Sequence, residues 1–146
     1  MKKLILIILC LPMIGFGQEN YSKIHQYGYL KSEGYLDYND NEEGLWKYYY
    51  DNSEMLQYEK QYRNGIQDGV FKEYYTDGIL KQEGQRFVWK GENEDSGIWK
   101  TYFKDGTLKS EGVKEYGRKY GLWKFYYKSG QLSSEITKIA GISDGY

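Results

Sequence analysis

Residues 44–50 read GLWKYYY and residues 121–127 read GLWKFYY, with near copies at 69–75 (GVFKEYY) and 97–103 (GIWKTYF). A reactive centre needs its special side chains once, whereas a phrase used four times along a chain builds architecture. The opening glycines Gly44, Gly69, Gly97 and Gly121 are separated by 25, 28 and 24 residues.

Each phrase is followed by a second half, visible as GILKQEG (78–84), GTLKSEG (106–112) and GQLSSEI (130–136), and earlier as GYLKSEG (28–34). In the first full repeat it is MLQYEKQ (55–61), displaced by one residue. GISDGY (141–146) parallels GIQDGV (65–70). The repeats are a partial one over about 25–43 and full ones over about 44–68, 69–96, 97–120 and 121–144. With 18 Tyr, 4 Trp, 5 Phe and 18 Gly against one Pro, and no sustained helical spacing, the composition favours strands joined by tight turns.

Asp77-Gly78, Asp105-Gly106 and Ser129-Gly130 predict β-hairpins with two-residue turns, because these dipeptides accept positive φ angles. That register sets Lys72 opposite Glu83, Lys100 opposite Glu111 and Lys124 opposite Glu135. It also sets Phe71 over Gly84, Trp99 over Gly112, Tyr75 against Leu80 and Phe103 against Leu108. Asn52-Ser53 requires a longer or bulged turn, which leaves Lys47 and Glu59 less firmly paired.

Alternation places Trp46, Phe71, Trp99 and Trp123 on one face. The other carries Lys, Glu, a branched aliphatic residue (Leu45, Val70, Ile98, Leu122) and Tyr49, Tyr74, Tyr102 and Tyr126. Roughly nine strands in one flat layer would leave too much apolar surface wet, so the sheet is expected to curl about the Trp face. The Tyr column then remains as the candidate binding surface, since a phenol offers an apolar ring with a polar end.

These positions recur together, and on them the chain resembles the MORN-repeat variant family, in its bacterial YwqK-type, antitoxin-like form, over about residues 25–146. The resemblance implies an all-β, antiparallel meander of repeated hairpins forming an elongated, twisted single sheet. It also implies a non-catalytic role in binding or scaffolding. The chain departs from the pattern at Phe71 in place of Trp, at Ser53 in place of the turn Gly, and by a four-residue excess near KGENEDSG (90–97).

The first residues, MKKLILIILCLPMIGFGQ, combine Lys2 and Lys3 with an apolar run from Leu4 to Ile14 and a Gly15-Phe16-Gly17 triplet. This predicts a signal peptide over 1–17, cut before Gln18, and an exported domain over 18–146, periplasmic or at the cell surface. The run is shorter than the roughly 20 residues of a membrane span, so none is expected after cleavage. Cys10 follows Leu9 rather than a small residue, so lipidation is not expected. The remaining 18 basic and 21 acidic residues leave a formal net charge of −3. Nothing there suits nucleic acid or anionic lipid.

Candidate chemistry is thin. The sole His, His25, precedes the regular repeats, and no Ser-His-Asp set or phosphate loop occurs. DYNDNEEG (37–44) resembles a calcium loop only superficially, with Glu42 where Gly is required and Tyr48 where a bidentate Glu is required. GENEDSG (91–97) is expected to be an exposed loop. The sequence therefore predicts no catalytic residue, metal or cofactor, and a protein of the cell envelope as partner. Alternatives are a carbohydrate- or choline-type surface reader, since aromatic cages hold quaternary ammonium groups, and an antitoxin- or immunity-like protein.

Overall fold

The computed structural model describes residues 19–24, 30–51 and 53–139. They form one antiparallel sheet of ten strands in strict sequence order. The first five are β1 (Glu19–Ile24), β2 (Leu30–Leu36), β3 (Glu42–Tyr49), β4 (Leu56–Arg63) and β5 (Ile66–Tyr74). The others are β6 (Leu80–Trp89), β7 (Glu92–Tyr102), β8 (Leu108–Glu115), β9 (Arg118–Tyr126) and β10 (Leu132–Lys138). The all-β hairpin meander is thus the fold, and among the described residues the sheet is open, with β1 and β10 as its edges. It has one strand more than expected because β1 precedes the first half-phrase. The signal segment, His25 and residues 141–146 lie outside the described residues.

Two kinds of turn alternate. At Asp77-Gly78, Asp105-Gly106 and Ser129-Gly130 only the glycine has positive φ (82°, 82° and 84°). Gly78 N–H donates to Tyr75 O at 2.9 Å and Tyr75 N–H donates to Ile79 O at 2.8 Å. This is a type I turn closed by a glycine bulge, not the expected two-residue turn. The Asp77 and Asp105 carboxylates accept the N–H two residues on, at 3.2 and 3.0 Å, a local bond that holds the aspartate in ordinary backbone geometry.

The bulge consumes a residue, so Tyr74 and not Tyr75 faces Leu80, and Tyr102 and not Phe103 faces Leu108. Beyond it the expected register holds: Lys72 pairs with Glu83, Lys100 with Glu111 and Lys124 with Glu135. Two-residue turns with both residues at positive φ lie at the opposite strand ends, at Asn64-Gly65, Lys90-Gly91 and Tyr116-Gly117.

GENEDSG is therefore not a loop: Gly91 completes a turn and Glu92–Gly97 belong to β7. The four-residue excess lengthens the β6–β7 hairpin, where Arg86 and Lys114 both reach Asp95, at 2.7 and 2.6 Å. In DYNDNEEG the Asp37 carboxylate accepts the N–H of Asn39 (2.8 Å) and of Asn41 (2.9 Å), which closes the β2–β3 turn. Chiefly the Asn41 bond holds its pKa below the ordinary aspartate value. No cluster of three metal-ligating side chains occurs among the described residues.

The buried column is Trp46, Phe71, Trp99 and Trp123, each 1–2% exposed. Its packing differs from the expected pairs. Phe71 and Trp99 are the backbone neighbours of Gly84 and Gly112, respectively. The rings that lie on those glycines, however, come from the following phrase: Trp99 covers Gly84, Trp123 covers Gly112, and Trp46 covers Gly34. A bulge causes this. Gly97 sits at φ 70°, and around it the β6–β7 register changes from Glu83 opposite Lys100 to Gln85 opposite Ser96. The two additional residues on β7 turn the indole back over the preceding strand.

The outer side of the column is roofed by cations rather than by a second layer. Arg86 Cζ stands 3.7 Å from the Phe71 ring centroid, Lys114 Nζ 4.1 Å from that of Trp99, and Lys119 Nζ 4.4 Å from that of Trp123. The charged heads themselves lie over the ring faces, and those of Arg86 and Lys114 are also paired with Asp95. Where β4 has Lys60 in place of the glycine after Glu, the following phrase has Phe71 in place of Trp. A larger neighbour is matched by a smaller ring.

Candidate binding face

The opposite face is organised by one line of residues crossing nine strands: Glu33, Lys47, Glu59, Lys72, Glu83, Lys100, Glu111, Lys124 and Glu135, one per strand from β2 to β10. Each charge has opposite charges beside it in the ladder. Lys47 and Glu59 keep this register despite the longer turn between them.

The four tyrosines expected to bind a partner form a half-buried column along this line. Each hydroxyl donates to the glutamate of the preceding repeat: Tyr49 to Glu33 at 2.6 Å, Tyr74 to Glu59 at 2.8 Å, Tyr102 to Glu83 at 2.6 Å and Tyr126 to Glu111 at 2.8 Å. Lys47 and Lys72 approach the same carboxylates, Glu33 and Glu59, at 3.6 and 3.5 Å. Burial first, then the bond to a carboxylate, raises the pKa of Tyr49, Tyr74 and Tyr102 well above the ordinary phenol value. At Tyr126 the bond to Glu111 is the larger cause.

In the first two phrases the last aromatic works forwards. Tyr50 donates to the Tyr74 carbonyl at 2.7 Å and Tyr75 to the Tyr102 carbonyl at 2.9 Å. A tyrosine pair therefore ties its own repeat to both neighbours, which explains why the phrase carries two.

Beside the tyrosines runs a stripe that sequence reasoning placed on this face without singling out: Leu45, Val70, Ile98 and Leu122, from 40% to 66% exposed. Its signal was the branched residue directly after each opening glycine. Val70 and Ile98 flank an open groove of about 510 Å³ that Lys72, Lys100 and Glu83 also line. The charges largely neutralise one another and the phenol hydroxyls are occupied, so this face offers apolar contact with polar edges.

Such a sheet, built from near-identical hairpins each bonded to the next, defines a repeat module whose broad faces are continuous from unit to unit. Residues 67–86, 96–113 and 119–137, three successive repeats of the sheet, match the family model described as MORN repeat variant. Its repeats are generally protein- or membrane-binding modules. No curated protein and no solved structure matches the chain.

Proposed function

We propose that the protein is a non-catalytic, exported repeat module that binds another protein of the cell envelope through the face bearing Tyr49, Tyr74, Tyr102 and Tyr126. The observation that carries this reading is the exposed stripe Leu45, Val70, Ile98 and Leu122 running beside an internally neutralised charge row. Apolar side chains repeated in register invite a partner that contacts several repeats at once, where weak contacts add. Alternating charge gives no sustained positive field, which favours protein over anionic lipid or nucleic acid. Export rests on Lys2, Lys3, the apolar run and the Gly15-Phe16-Gly17 triplet. It also argues against an antitoxin acting on a cytoplasmic toxin.

A choline or carbohydrate reader would need open aromatic faces. Here Trp46, Trp99 and Trp123 are buried, and Lys114 and Lys119 already occupy cation positions over Trp99 and Trp123. The test is capture from the native envelope with wild-type chain, Val70→Asp with Ile98→Asp, and Tyr74→Ala with Tyr102→Ala, each first checked for folding by circular dichroism. Loss of a specific protein in both folded variants supports the reading. Full capture by both, or capture blocked by free choline or glycan, overturns it.

A further inference from the structure

We infer that the β10 edge is a docking site for an added antiparallel strand from a partner protein, and that the strand it fits carries the pattern Phe-Lys-x-Tyr. The inference concerns the sheet edge and does not depend on the broad-face reading. Glu33, Glu59, Glu83 and Glu111 each accept a phenol hydrogen bond from the next strand, at 2.6 to 2.8 Å. Each also has that strand's lysine opposite it in the ladder. Glu135 holds the same place on β10, but no strand lies beyond β10 among the described residues. Its contact is with the preceding strand, Lys124 at 3.9 Å. Leu132 to Thr137 are all exposed. An edge of this kind accepts a strand through backbone hydrogen bonds, and side-chain positions set its selectivity.

The side chain after the glutamate defines that selectivity. Where it is glycine, in β2, β6 and β8, the following strand lays an indole on it. Where it is Lys60, the following strand has Phe71. β10 has Ile136 at this place, so a tryptophan would collide and a smaller ring is admitted. The lysine that follows the ring then lies opposite Glu135, and the tyrosine two residues further on reaches its carboxylate.

The probe is a fluorescein-labelled peptide of residues 66–75, IQDGVFKEYY, titrated into the full chain and followed by anisotropy and by amide hydrogen exchange. The expected result is saturable binding that newly protects β10 amides. It should weaken at least tenfold with Glu135→Lys in the protein, or with Phe71→Trp in the peptide. Lys72→Glu in the peptide should restore binding to the Glu135→Lys chain. Absence of binding, protection elsewhere than β10, indifference to the charge pair, or β10 amides already protected on their outer edge before peptide is added would each overturn the inference.

Discussion

The indole of Trp99 lies directly on Gly84, leaving no room for a Cβ at that position. The contact joins two successive repeats, and its equivalents, Trp46 on Gly34 and Trp123 on Gly112, do the same elsewhere in the sheet. A single layer is held together by rings lying on the backbone of the preceding hairpin.

Gly84→Ala is therefore expected to destabilise the chain by about 1–3 kcal/mol, the usual cost of overpacking. Trp99→Ala should cost about 3–5 kcal/mol. Adding Trp99→Phe to Gly84→Ala should recover part of the loss, as Phe71 accommodates Lys60 in the natural chain. Urea unfolding of Gly84→Ala, Trp99→Phe, the double variant and wild type measures the coupling. Simple additivity would show that ring and glycine are not packed as described.

Phe103 stands where Tyr50 and Tyr75 reach forward to a carbonyl of the next repeat. Phe103→Tyr should place a hydroxyl near the Tyr126 carbonyl and stabilise the protein by about 0.5–1.5 kcal/mol. A rise in Tm checks this, and an unchanged or lower Tm contradicts the forward tie.

Lys100 has Glu83 and Glu111 on its two sides in the ladder. Truncation to Ala should cost no more than ~1 kcal/mol, because such pairs are partly exposed. Lys100→Glu should cost more, since it sets three like charges in line. The difference should shrink in high salt during thermal melts.

Alkali should act through the tyrosine column. The folded-state pKa values of Tyr49, Tyr74 and Tyr102 are raised, by burial first and then by hydrogen bonds to Glu33, Glu59 and Glu83. The unfolded chain ionises near pH 10. Their contribution is complete below about that pH and is lost as pH rises towards the folded-state values. Ultraviolet titration should show a class of phenols that ionises only as circular dichroism reports unfolding. Uniform ionisation near pH 10 with the fold intact would contradict the Tyr–Glu bonds.

The strand order and the Lys100–Glu111 register were legible because one repeated turn, read three times, brought the charge pairs together. The turn type was not, because Asp-Gly serves both a two-residue turn and a bulged type I turn. A side-chain bond at Asp77 and Asp105 selects between them. Ring placement on Gly84 depends on the bulge at Gly97, whose register shift involves the preceding strand rather than the hairpin partner. The Tyr102–Glu83 bond was illegible for the same reason: it links two hairpins. GENEDSG (91–97) read as a loop because its charges mask a strand whose Asp95 is paired with Arg86 and Lys114.

The indoles of Trp46, Trp99 and Trp123 are the buried interior of this sheet, and the proposed contact surface is the opposite, Tyr and aliphatic face. Acrylamide quenching of tryptophan fluorescence in a Trp89→Phe variant tests it most directly, because Trp46, Trp99 and Trp123 are then the only emitters. The folded chain should show blue-shifted emission and weak quenching, with both lost on unfolding. Emission and quenching like those of free tryptophan in the folded chain would contradict it, and would make the indole face an open ligand platform instead.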